Sequence, residues 1–136
     1  MARNIEQSQG EENEEVQEKP PFFIISAQDD LCELPEDVKG EIGYSLYIAQ
    51  CGGTPDNAKP LRGREFRGVW EIVSRHQTDK YRGVYTIRFK KAVYVLHCFM
   101  KKSKIGIDMT QQDKELILKR LQRAQEDYQE LFGEDD

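Results

Sequence analysis

A chain of 136 residues with 38% hydrophobic and 33% charged content can hold one small core with tails. No apolar run nears the roughly 20 residues of a membrane helix, and the N-terminus lacks the apolar core of a secretion signal. Cys32, Cys51 and Cys98 are scattered, odd in number and without a CxxC pair, and His76 and His97 have no ligand partners at metal-binding spacing; a cytoplasmic protein with reduced thiols, no metal and no cofactor is expected.

The net charge of −5 hides a strong segregation. Residues 1–57 carry 3 Lys/Arg against 13 Asp/Glu, residues 58–106 carry 13 against 3, and residues 107–136 carry 4 against 9. A central block at +10 between acidic flanks builds a positive potential that attracts phosphate.

Residues 1–20 are polar and Glu/Gln-rich, so they are expected to be a disordered acidic tail. The domain then runs over 21–132, and 133–136 form a second acidic tail. "FFII" (Phe22–Ile25) reads as a first strand. Ser26 offers an N-cap, and Leu31, Leu34, Val38, Ile42, Leu46 and Ala49 recur at helical spacing. Pro35 splits that stretch into a helical hairpin or a kinked helix over 27–51, and Gly52-Gly53 stops it. Residues 54–68 read as a basic loop.

Three strands follow, at 69–75, 81–89 and 92–100, with links short enough for antiparallel hairpins. Alternation in the middle one places Tyr81, Gly83, Tyr85, Ile87 and Phe89 on an apolar face and Arg82, Val84, Thr86 and Arg88 on the other. In the third, it puts His97 on the side of Val93, Val95 and Phe99. Thr110, answered by Asp113, caps a last helix whose seam is Ile117, Leu121, Ala124, Tyr128 and Leu131. The order predicts an α+β fold, with the helical hairpin and the C-terminal helix on one face of a small twisted antiparallel sheet.

"AKPLRG", "VWEI", "YRGVYTIRF" and "VYVLHCFMKKSKIG", followed by a helix with "LKRLQRA", resemble the RelE/ParE toxin superfamily, most of all its HigB-like, phage-derived branch. The likeness covers about residues 22–127, and Leu96, His97, Phe99, Lys101, Lys102 and Ser103 are its most specific part. It implies a RelE-like fold and the toxin of a type II toxin–antitoxin system. Many members cut mRNA in the ribosome without a metal, the ribose 2′-hydroxyl attacking the adjacent phosphorus. Others on the same fold inhibit DNA gyrase without cutting, and an inactive antitoxin-binding remnant is a third possibility. The implied partners are a helix-turn-helix, DNA-binding antitoxin, the ribosome and mRNA.

Metal-free cleavage needs a base, an acid and cations on the phosphate. Carried over by the resemblance, the catalytic candidates are Arg82, Lys101, Lys102 and His97. The RNA-binding candidates are Lys59, Arg62, Arg64, Arg67, Arg88, Ser103 and Lys104. The plain alternative for the cations is a solvated strand face and strand end; for His97 it is a buried, hydrogen-bonded core residue. The tyrosine or second histidine that RelE-like nucleases often carry after the basic strand end is missing from "KIGIDMTQQD". Tyr81 or Tyr85 would have to stack on a base in its stead, or else both belong to the core. Glu11, Glu12, Glu14, Glu15 and Glu18 suggest a tail that folds back over the basic face as a brake.

Overall fold

The computed structural model describes residues 18–24, 26–101 and 109–133. The elements run β1 (Pro21–Phe23), α1 (Ala27–Cys32), α2 (Glu36–Gln50), β2 (Ala58–Pro60), β3 (Val69–His76), β4 (Asp79–Thr86), β5 (Val93–Met100) and α3 (Gln111–Phe132). They form one five-stranded sheet in the order β1-β5-β4-β3-β2. The α+β class and the hairpin-plus-C-terminal-helix plan are those the sequence indicates. Three details differ.

First, the sheet is covered on both sides. Ala27, Val38, Ile42, Leu46 and Ala49 of the hairpin pack with Ile72, Tyr81, Tyr85, Val93 and Val95. Ile117, Leu121, Ala124 and Tyr128 of α3 pack with Val69, Val84, Tyr94 and Leu96, the alternate residues of the same strands. Polar groups on the inner side toward α3 are therefore buried, where a single-layer plan would leave them wet. Second, β1 runs parallel to β5, pairing Phe22 with Tyr94, while the other neighbours are antiparallel. Third, β2 lies within the stretch read as loop, and Lys59 pairs with Glu71. Three residues ending in proline give too short an alternation to stand out in a sequence.

The ladder between β4 and β5 is irregular. Val84 opposes His97, but Tyr85 opposes Val95, so Leu96 is the extra residue of a β-bulge. The bulge resets the parity of β5. Leu96 and His97 both face α3, with Phe99, while Val93, Val95 and Cys98 face the hairpin. Simple alternation, which groups His97 with Val93 and Val95, fails here for that reason. Arg120 of α3, itself buried, donates from Nη1 to the Leu96 carbonyl at 2.8 Å. The carbonyl at the irregular step thus has a charged partner in place of water.

Smaller departures have equally local causes. β4 stops at Thr86, so Ile87 is exposed and Phe89 turns into the α3 core, stacked on Tyr128 at 4.6 Å. The α3 seam ends on Phe132, which packs against Tyr128; Leu131 is exposed. Ser26 precedes α1 without a side-chain capping bond, whereas Thr110 accepts from the Asp113 amide as expected. Lys19, assigned to the tail by composition, donates its amide to Gln50 O and accepts from Gln50 Nε2. Of the proposed brake, Glu18 accepts from Gln50 Nε2 at 3.4 Å at the end of α2, and Glu11, Glu12, Glu14 and Glu15 lie outside the described residues.

Removing the Arg120 guanidinium leaves a buried carbonyl without its donor. Arg120→Met is expected to destabilise the fold by roughly 1–3 kcal/mol, read as a lower midpoint in urea unfolding with an unchanged slope.

Candidate functional site

The strand register lines up a row of side chains across the α3 side of the sheet. Lys59 on β2 pairs with Glu71 on β3, Glu71 with Val84 on β4, and Val84 with His97 on β5. Arg82 is the neighbour of Val84 on the same face, opposite Phe99. Arg82 and Glu71 are each only 2% exposed. Arg82 Nη1 donates to Glu71 Oε1, and Glu71 Oε2 lies 3.7 Å from Lys59 Nζ. The charged face expected of β4 is thus a buried ion pair. An unpaired charge at either position would be untenable in this setting, so each residue requires the other.

His97 is 7% exposed and stacked on Phe99 at 4.2 Å. Its Nε2 lies 3.1 Å from Asp113 Oδ1 in the first turn of α3. Asp113 Oδ2 accepts from the Thr110 hydroxyl at 2.8 Å, and the Asp113 amide donates back to that hydroxyl at 3.1 Å. One carboxylate therefore closes the helix cap and anchors the histidine. Burial lowers the His97 pKa below its ordinary 6.5, and Asp113 partly opposes that shift. The ring is held neutral, and the geometry is that of a hydrogen-bonded core histidine.

Between β2, the following loop and the start of α3 lies a cleft of about 120 Å³. Lys59, Arg62 and Lys114 bring three cations to it, Glu71 supplies a carboxylate, and Leu61, Phe66 and Met109 add apolar wall. Arg64 and Arg67 are exposed on the adjoining 3-10 turn (Arg64–Phe66) and its end. Arg88 holds that turn in place: its Nε donates to Arg67 O at 2.6 Å and its Nη2 to Glu65 O at 3.0 Å. Gly68 has φ +79°, and a Cβ there would sit 2.7 Å from Arg88 Cγ, so glycine is needed beside the brace.

Of the residues singled out from sequence, the cleft gathers Lys59 and Arg62, with Arg64 and Arg67 on the turn beside it. Arg88 acts as a brace on that turn. Lys101 follows β5 beside the β3–β4 turn, its amide bonded to Lys80 O. Lys102, Ser103 and Lys104 lie outside the described residues. Tyr81 and Tyr85 are buried against the hairpin, on the opposite side from the cleft, so neither is placed to stack on a base bound there. Sequence reasoning passed over Glu71 and Lys114. Glu71 sits in the "VWEI" motif at an inward position of an otherwise apolar strand, a detectable signal; Lys114 looks like any helix-surface lysine. Among the described residues no group of three His, Cys, Asp or Glu side chains is placed to hold a metal ion. No helix there is long and apolar enough to cross a membrane.

Comparison with known families matches residues 29–122 to the model for Phage derived protein Gp49-like. The chain belongs to this family. The Gp49-like proteins are phage-derived, RelE-like toxins, so the chain is a RelE/ParE-like toxin of a toxin–antitoxin system. Comparison with curated proteins finds no match. Among solved structures, the toxin–antitoxin complex RelBE2 from Mycobacterium tuberculosis is similar over 62% of this chain and 100% of that one, with 23% identity and a TM-score of 0.45.

The buried pair of this Gp49-like toxin should respond asymmetrically to mutation. Arg82→Ala strands the Glu71 carboxylate and is expected to cost about 3–5 kcal/mol, whereas Arg82→Met/Glu71→Met should recover most of that loss in urea unfolding. The lowered pKa of His97 has a defined sign. The unfolded chain takes up the proton first as pH falls through about 6.5, so stability is lost on acidification there. The drop in Tm between about pH 7.5 and about pH 5.5 should therefore be smaller in His97→Gln than in the parent protein.

Proposed function

We propose that this toxin is a ribosome-dependent mRNA endonuclease of the cytoplasm that arrests translation without a metal or cofactor. The observation that carries the reading is the cleft in which Lys59, Arg62 and Lys114 converge around the Glu71 carboxylate. Three cations at one concave site suit the non-bridging oxygens of a phosphodiester, and a carboxylate among them is a group that can accept a proton. Arg64 and Arg67 extend the positive surface along the turn, where they would follow the nucleic-acid backbone. Lys101, Lys102, Ser103 and Lys104 remain candidates for a second set of backbone contacts at the end of β5. Arg82 keeps a part in this reading through Glu71. His97 has an architectural role, joining β5 to the α3 cap.

A cognate antitoxin, with a helix-turn-helix DNA-binding part, is the expected protein partner. A second reading, inhibition of DNA gyrase through the helical hairpin, draws on Tyr44 and Tyr47, which stand exposed on α2. Primer extension on cellular mRNA after induction separates the two. Discrete cuts within translated codons are expected; growth arrest with DNA damage and intact mRNA would favour the gyrase reading. In purified form, Lys59→Ala, Arg62→Ala and Lys114→Ala should each weaken RNA binding. Each should also reduce the slope of log affinity against log salt by about 0.7, if one phosphate contact is lost per variant.

A further inference from the structure

We propose that Glu71 is the general base of the cleavage reaction, an assignment that rests on the endonuclease reading above. Attack by a ribose 2′-hydroxyl requires a group that can take its proton within hydrogen-bond reach. Lys59, Arg62 and Lys114 are the groups in the cleft suited to the phosphate oxygens. His97 is stacked on Phe99 and tied to Asp113, and it does not line the cleft. Asp113 is occupied by the Thr110 hydroxyl and His97. Among the described residues that line the cleft, Glu71 is the one carboxylate.

Its two oxygens are placed differently. Oε1 accepts from the buried Arg82 and is fixed on the sheet. Oε2 has Lys59 Nζ at 3.7 Å, an ion-pair distance too long for a hydrogen bond. The Lys59 side chain is about half exposed, at 52%, so it can swing to a phosphate and leave Oε2 open to the cleft. A purely structural pair would be served as well by two apolar side chains. Keeping a carboxylate whose second oxygen borders a basic cleft has a chemical use that an apolar pair lacks.

The step balances within the site. Glu71 Oε2 takes the 2′-hydroxyl proton while the 2′-oxygen bonds to phosphorus. The bond from phosphorus to the 5′-oxygen breaks, and that oxygen receives a proton from the ammonium of Lys59 or Lys114. The products are a 2′,3′-cyclic phosphate and a 5′-hydroxyl. Solvent then carries the proton from Glu71 back to the lysine, and no oxidant, reductant or co-reactant is consumed.

The test is single-turnover cleavage of a defined mRNA on bacterial ribosomes, with the full chain. Glu71→Gln keeps an acceptor for Arg82 and loses the base. The neutral amide leaves the buried guanidinium without its counter-charge, so a lower Tm is expected; at a temperature where the variant is folded it should keep ribosome affinity while the cleavage rate falls by about 10²–10⁴-fold, and Glu71→Asp should recover part of the rate. A Glu71→Gln protein that is folded and cuts within a few-fold of the parent rate would overturn the assignment. If Glu71→Gln does not fold, Arg82→Met/Glu71→Met takes its place: loss of cutting that added formate or acetate restores, with ribosome binding intact, supports a carboxylate base at this position, and substantial residual cutting, or a loss that small carboxylates do not restore, refutes it. A parent protein that cuts no message overturns the endonuclease reading itself, which is a separate result from a parent that cuts and a variant that cuts equally well.

Discussion

Glu71 and Arg82 sit on neighbouring strands, almost wholly out of water, with α3 laid over their face of the sheet. That single pairing constrains much of the molecule. It holds β3 and β4 in a register where each charge finds its counter-charge, since a slip of one residue would send one of them to the hairpin side. It also sets a carboxylate at the back of the basic cleft, where cations from three different segments meet. Desolvation makes such a pair a poor source of net stability. Its retention is better explained by position than by energy.

Burial on both faces of the sheet gives the site its second property. The Thr110–Asp113–His97 chain and the contact from Arg120 to Leu96 both run from α3 down onto β5. Helix and strand are thereby joined by polar links at two levels, with the apolar seam of Ile117, Leu121, Ala124 and Tyr128 continuing beside them. Lys114, next to Asp113 in the chain, is carried to the cleft by the same helix turn. The start of α3 is thus both a lid on the core and a wall of the candidate site.

Much of this was legible in the sequence, and the limits have physical causes. Helix periodicity located α2 and α3, and the charge count isolated the basic block to which Lys59 and Arg62 belong. Period-two alternation identified β3, β4 and β5 but could not show which polar face would be covered by α3. Arg82 therefore read as surface when it is core. The bulge at Leu96 is a one-residue event that leaves no mark in the hydrophobic pattern, and it reversed the side assigned to His97 relative to Val93 and Val95. Asp113 was visible as a capping residue because its partner is three positions away. Its bond to His97 spans sixteen positions and depends on how α3 returns over the sheet. Lys114 was missed for the same reason: its neighbours are set by tertiary geometry alone.

The two margins of the sheet are both only three residues long, and each contains a proline: Pro21 in β1 and Pro60 in β2. Each short edge covers only part of its neighbour: β5 runs on from Leu96 to Met100 past its last pair with β1, and β3 runs on from Val73 to His76 past its last pair with β2. The prolines thus close the outermost strands to further pairing, and an added strand would have to dock on the overhanging stretches of β3 or β5 instead.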